Sequence, residues 1–223
     1  MSLRERRSYQ PDERSANLPH YARSFAARVH RLLAMGFSRM SSVDYVSAEE
    51  EDVTGSFVEA VDAVLDDPTA PPWVRYYAVH EESRVTDPTR KGKGRRRLDI
   101  RIDSSESRPR SRFPFEAKRL GPRHPVSEYL GDEGIVRFLD GRYGRRQDLG
   151  GMLGYVQAGK SEEWAQKIGV ALTEDAQRLL LRPDGSWRRE KLTDELDHTY
   201  RSRHNRPAVG RPIEIYHTLL AFN

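Results

Sequence analysis

The sequence contains no cysteine, which excludes disulfides, thiolate nucleophiles and cysteine-ligated zinc or iron–sulfur centres. It has no apolar run approaching the length of a membrane span, and its first residues lack the hydrophobic stretch of a signal peptide. The expectation is a soluble, cytoplasmic protein with no membrane partner. No G-x-G-x-x-G follows a strand pattern, no G-x-S-x-G elbow occurs, and no histidine pair has H-E-x-x-H spacing, which sets aside dinucleotide-binding, α/β-hydrolase and zincin readings. No repeat period is visible. Hydrophobic residues are also scarce, 36% of 223 against 32% charged, so a sizeable share of the chain belongs to loops, tails or solvated helix faces. The length suits one substantial core with small appendages.

Formal net charge is only +4, and its distribution says more than its sum. Between Arg84 and Arg119 basic residues outnumber acidic ones by more than two to one, densest at Lys91–Arg97 (KGKGRRR). A basic stripe neutralises phosphates and releases counterions, which favours nucleic acid; alone, a solvated hairpin end explains it equally well.

Residues 1–19 are polar and aperiodic and read as a flexible arm. Tyr21, Phe25, Val29, Leu32 and Leu33 then recur at three and four residues, predicting an amphipathic helix that ends near Gly36, within an N-terminal helical extension over 20–46. His30 within it reads as a structural residue. From Ser47 a second helix is expected, because Ser47 with Glu50 three residues on is a capping-box signature. Val53, Phe57, Val61, Val64 and Leu65 give it an apolar stripe, and Glu50, Glu51 and Asp52 suit the positive end of its dipole. Trp73–His80, rich in aromatic and branched residues, reads as a first strand.

The most informative stretch is Arg97–Leu120, RLDIRIDSSESRPRSRFPFEAKRL. Leu98, Ile100 and Ile102 alternate with Asp99, Arg101 and Asp103; Phe113, Phe115 and Ala117 alternate with Pro114, Glu116 and Lys118. Two half-buried strands joined by a polar loop follow from this period of two. A register that sets Asp99 against Glu116 gathers two carboxylates and Lys118 on one surface, and a slip by one residue breaks the cluster. Magnesium prefers such oxygen ligands and often takes only one or two carboxylates with phosphate and water. A neighbouring lysine can hold or deprotonate a water, or stabilise charge on a phosphate.

Asp99 followed by Glu116-Ala117-Lys118 resembles the PD-(D/E)XK superfamily of restriction-endonuclease-like nucleases, with Leu98 where the motif's proline would stand. The resemblance implies an α/β fold from about Ser47 to Asn223, a mixed central β-sheet flanked by helices in the order α-β-β-β-α-β. It implies metal-dependent hydrolysis of DNA phosphodiester bonds. Asp99, Glu116 and the Ala117 carbonyl would hold Mg2+ or Mn2+, and Lys118 would orient or deprotonate the attacking water. It further implies a glutamate on the helix before the first core strand, assigned to Glu51 with Glu50, Asp52 and Glu59 open, and a polar residue on the helix after the lysine, assigned to Gln157 with Tyr155 as a lesser companion. Lys91, Arg95, Arg96, Arg97, Arg101 and Arg119 are the candidates for DNA-backbone contact. The segments YLGDEG (129–134) and GGMLGYVQAG (150–159) resemble small bacterial nuclease-like proteins of defence or mobile-element systems, so a homodimer or a defence-system partner protein is an expected companion. The alternative is a catalytically silent nucleic-acid-binding subunit with the same fold.

In the remaining chain, Tyr129–Tyr143 is expected as a folded loop or short helix, because glycines stand at 131, 134 and 141. Leu149, Met152, Leu153, Val156, Ala165 and Ile168 can line one helix face despite glycines at 150, 151 and 154, which suggest close approach of a backbone or a ligand. A helical piece over Thr173–Leu181 and a charged helix over Trp187–Tyr200 are expected next. Tyr200–Arg206 (YRSRHNR) is a compact basic patch. Pro212–Phe222 reads as a strand carrying Ile213, Ile215, His217 and Leu219 on one face, with His217 a satisfied core histidine.

Overall fold

A computed structural model describes residues 14–41, 45–84 and 97–222. Helix α1 (Arg14–Phe37) and helix α2 (Glu50–Leu65) come first. A single 3-10 turn then leads into β1 (Tyr77–Arg84), followed by β2 (Arg97–Ser104) and β3 (Ser111–Leu120). Two one-turn helices, α3 (Val126–Tyr129) and α4 (Val136–Leu139), precede β4 (Leu149–Val156) and α5 (Ser161–Glu174). The short strand β5 (Arg188–Arg189), then β6 (Thr199–His204) and β7 (Ile213–Ala221), complete the order. The strands form one seven-stranded sheet in the order β1-β2-β3-β4-β7-β6-β5. β1, β2 and β3 are an antiparallel meander, β3, β4 and β7 run parallel, and β6 and β5 return antiparallel. The protein is α/β, with a mixed sheet between two helical layers.

Side-chain alternation builds those layers. On one face, Phe25, Val29 and Leu33 of α1 and Val53, Phe57 and Val61 of α2 meet Ile100, Ile102, Phe113, Phe115, Leu153 and Tyr155. On the other, Tyr129, Phe138 and Tyr143 with Trp164, Ile168 and Leu172 of α5 cover Met152, Val156, Ile215 and Leu219. β3, β4 and β7 are therefore covered on both sides, and the sheet's parallel centre is its driest part.

Four expectations are corrected here. Leu149–Val156 is a strand and not the start of a helix, and only Ser161–Glu174 is helical. An apolar run buried on both faces satisfies a helical template as readily as a strand one. Trp187–Tyr200 contains β5 and turns in place of a helix; its charges pair locally, Lys191 Nζ standing 2.6 Å from Asp194 and Arg189 3.6 Å from Asp197. α2 begins at Glu50 with Glu49 at its N-cap and no side-chain cap bond, so Ser47 builds no capping box. Finally, α1 already starts at Arg14, so residues 14–19 of the expected arm are helical; residues 1–13 lie outside the described residues.

Candidate active site

The register of β2 on β3 decides whether a site exists. Ile100 pairs with Phe115 and Ile102 with Phe113, so the same register carried one step further sets Asp99 opposite Glu116. Asp99 Oδ2 accepts the Ala117 backbone N–H at 2.7 Å, so its side chain takes the place of a ladder bond where the two strands part. Phe115 and Ala117 face the α1–α2 layer, which turns Glu116 to the other side. There it is fully buried, with Oε1 accepting from Arg137 Nη1 at 2.9 Å and lying 3.1 Å from Lys118 Nζ. Among the described residues its second oxygen, Oε2, has no hydrogen-bond partner.

Lys118 Nζ donates to Glu50 Oε1 at 2.6 Å and to the Ala117 carbonyl at 2.7 Å. Glu50 Oε2 accepts the Arg119 backbone N–H at 3.1 Å. The acid that α2 delivers is thus Glu50. Glu51, the expected one, is exposed, turned by about 100° around the helix. Side chains in a helix tilt toward its N-terminus, so the first residue of α2 is the one that reaches over the end of β3.

The electrostatics follow from burial. Loss of water, then the charge of Asp99, pushes the Glu116 carboxyl up to about 8 against the pull of Lys118 and Arg137. Burial also raises Asp99, opposed by the Ala117 amide and the Lys118 charge. Lys118 is raised because Glu116, Glu50 and Asp99 together outweigh its own desolvation. It is a firmly held ammonium. A partner-poor buried carboxylate oxygen beside two cations is a site short of positive charge.

Sequence reading missed Arg137 and Tyr143. Arg137 also pairs with Glu133 and donates to the Tyr143 hydroxyl at 2.7 Å, and that hydroxyl donates to the Arg97 carbonyl at the start of β2. The available signal was an arginine set between Val136 and Phe138 in an otherwise apolar turn. Gln157 is not on a helix: it follows β4, and its amide donates to the carbonyls of Tyr45 and Ala48 at 2.8 Å each. It anchors the segment that leads into α2 and so supports Glu50 at one remove. Tyr155, on the α1–α2 face, bonds Thr54 at 3.0 Å.

A second string was also missed: Gly154–Ser161 (GYVQAGKS) fits the phosphate-loop pattern G-x-x-x-x-G-K-[ST]. Gly154 lies inside β4, in register with Lys118 and Leu219, and the Gln157 amide still bonds the Leu120 carbonyl at 3.0 Å. Only residues 157–160 remain for the turn into α5, too few to wrap a phosphate, so the match is one of letters.

The basic candidates are spread apart. Lys91, Arg95 and Arg96 lie outside the described residues. Arg97 is exposed and pairs with Glu82, Arg101 Nε donates to Asp103 at 2.8 Å, and Arg119 is half-buried against Glu49 at 2.7 Å. In the Tyr200–Arg206 patch, His204 and Arg206 are buried, so that patch is partly core. Among the described residues no group of three or more His, Cys, Asp and Glu side chains is arranged to hold a metal, and no helix is long and apolar enough to cross a membrane. No family model, no curated protein and no solved structure matches the chain.

Proposed function

We propose that the protein is a metal-dependent nuclease that hydrolyses DNA phosphodiester bonds, built on a restriction-endonuclease-like core. The observation that carries the reading is the convergence of Asp99, Glu116 and Lys118 with Glu50, beside a buried Glu116 Oε2 that has no hydrogen-bond partner among the described residues. The order α2, the β1–β2–β3 meander, and β4 parallel to β3 supports the core, with one departure: between β3 and β4, where the resemblance implies a helix, the chain forms only the single turns α3 and α4.

The donor set fits a hard cation in kind. Asp99, Glu116 and the Ala117 carbonyl offer only oxygen, the preference of Mg2+ and Mn2+, and the unpartnered Oε2 supplies the unmet need. Such an ion would acidify a bound water and offset charge on the phosphate. Lys118, held as an ammonium by three carboxylates, donates hydrogen bonds, so its part is to orient the attacking water and steady the phosphate oxygens. Glu50, bonded to Lys118, fixes that ammonium in place. Arg137 brings a second positive charge to the same carboxylate.

The test is cleavage of plasmid and linear DNA with Mg2+, Mn2+ or EDTA, comparing wild type with Asp99→Ala and Lys118→Ala, alongside Mn2+-induced shifts in melting temperature. Metal-dependent nicking lost in both variants, with a shift lost in Asp99→Ala, is the expected result. Cleavage that survives both substitutions overturns it. One observation favours the silent binding subunit: two cations already share Glu116 Oε1. Salt-sensitive DNA binding with neither cleavage nor an Mn2+ shift would select that reading.

A further inference from the structure

A cavity of about 600 Å³ opens where β4 and β7 begin, lined by Ala22 and Arg23 of α1 and by residues of β4, β6 and β7. It is remote from the acidic cluster. Tyr216 in its wall packs with the α1–α2 layer, whereas Glu116 faces the other way, and Asp148 and Leu149 stand at the far end of β4 from Gly154, the neighbour of Lys118.

The lining divides into two chemistries. Leu149 and Pro212 form an apolar wall. Arg23, Arg203 and Arg211 contribute guanidinium groups on side chains that are 57%, 41% and 39% exposed. Each has donors to spare among its five N–H groups: among the described residues Arg23 pairs with the buried Glu190 at 2.6 Å, Arg203 makes one hydrogen bond, to Asp184 at 3.1 Å, and Arg211 makes one, to the Arg145 carbonyl at 3.2 Å, beside an ion pair to Asp148 at 3.1 Å. The carboxylate of Glu214 is already neutralised, its oxygens taken by Arg201 and by the Tyr216 hydroxyl at 2.7 Å each.

The rim is also held rigid. Arg206, 1% exposed, donates to the carbonyls of Gly144, Gln147, Arg211 and Pro212 at 2.7–3.3 Å. It clamps the two loops that carry Asp148 and Arg211. Preorganised arginines suit a phosphate, which they take up in bidentate fashion. The cavity's volume, within the roughly 300–1,000 Å³ of small-molecule sites, suits a compact ligand, and its mouth is open to solvent.

We propose that this cavity binds a nucleoside phosphate, its phosphate held by Arg23, Arg203 and Arg211 and its ring against Leu149 and Pro212. Calorimetry on the full chain, with nucleoside mono- and diphosphates, the matching nucleosides, inorganic phosphate and a 5′-phosphorylated oligonucleotide, tests it. Saturable nucleotide binding is expected, with nucleosides and inorganic phosphate each at least about tenfold weaker. Arg203→Gln should weaken the nucleotide by about tenfold or more, equivalent to roughly 1.4 kcal/mol, at an unchanged melting temperature. Asp99→Ala should bind as wild type does.

No saturable binding at millimolar nucleotide overturns the proposal, as does binding that both Arg203→Gln and Arg211→Gln leave intact. Inorganic phosphate binding as tightly as the nucleotide removes the ring's part and overturns the assigned class. A much tighter oligonucleotide would make a strand end the ligand in place of a free nucleotide. Loss of binding in Asp99→Ala would relocate the ligand to the acidic cluster.

Discussion

Arg137 shows how much of the candidate site rests on charge compensation. Glu116 is fully buried, and without a cation its carboxylate would face desolvation alone. Arg137→Met is therefore expected to destabilise the metal-free protein by about 1–3 kcal/mol, and Mn2+ should recover part of that loss through the same carboxylate. Melting temperatures in EDTA and in Mn2+ check this; an equal drop in both would mean that Arg137 only packs. Three buried histidines make a second residue-scale case. Burial pushes His30 and His204 down to about 4 and His217 well below its usual value. All three are neutral in the fold. Tyr129 O–H to His217 Nδ1, His217 Nε2–H to Ser202 Oγ, Ser202 O–H to His204 Nε2 and His204 Nδ1–H to the Leu179 carbonyl is the one direction in which the His217–His204 chain satisfies every member. Because the folded values lie below the unfolded value near 6.5, the stability is present above about pH 6.5 and is lost as pH falls toward about 4. Denaturant midpoints across that window should decline in wild type and decline less in His30→Phe, since His30 Nε2 has no partner to lose among the described residues. Parallel curves would sink the assignment.

At the scale of elements, β2 and β3 were legible because apolar and polar residues alternate along both, even though β3 is covered on each side, so period two survives in the letters, and the Asp99–Glu116–Lys118 cluster came with them. β4 was not. Gly150, Gly151 and Gly154 look like helix breakers or loose chain, yet each makes room for a large neighbour. A Cβ on Gly151 would lie 2.1 Å from the Phe115 ring, and one on Gly154 2.6 Å from Leu219. What approaches this strand is side chain, a fact held in the partner strands and not in the run itself. Arg137 was illegible for a similar reason: its place at Glu116 depends on how the glycine-framed turns between β3 and β4 fold back. Gly151→Ala is accordingly expected to cost about 1–3 kcal/mol by overpacking, whereas Gly121→Ala, with nothing within 4 Å of the new methyl, should be near neutral. The double variant Gly151→Ala/Phe115→Leu should lose less than the sum of its parts, since the two residues are in contact. Strict additivity in urea titrations would remove the steric explanation.

Over the whole molecule the sheet separates two ends. Glu116 and Lys118 pair with Met152 and Gly154 in the later half of β4, where Glu50 arrives from α2, while the arginine-rimmed cavity sits where β4 and β7 begin. Arg206 belongs wholly to the second end. Burial lowers its guanidinium to about 10, which still leaves it a cation at neutral pH, and four backbone carbonyls surround it with scarcely a counter-charge. Arg206→Met would leave those carbonyls without their donor, and a loss of about 2 kcal/mol or more is expected. Arg206→Lys should recover little of it, because one ammonium on a flexible stem cannot reproduce a planar fork aimed at carbonyls on two loops. If the two ends are independent, both variants should still give the wild-type Mn2+ shift from their lowered melting temperatures, because among the described residues no Arg206 hydrogen bond reaches Asp99 or Glu116. Were the shift lost together with the clamp, the loops between α4 and β4 would have to transmit order to Arg137, and the two ends would act as one unit.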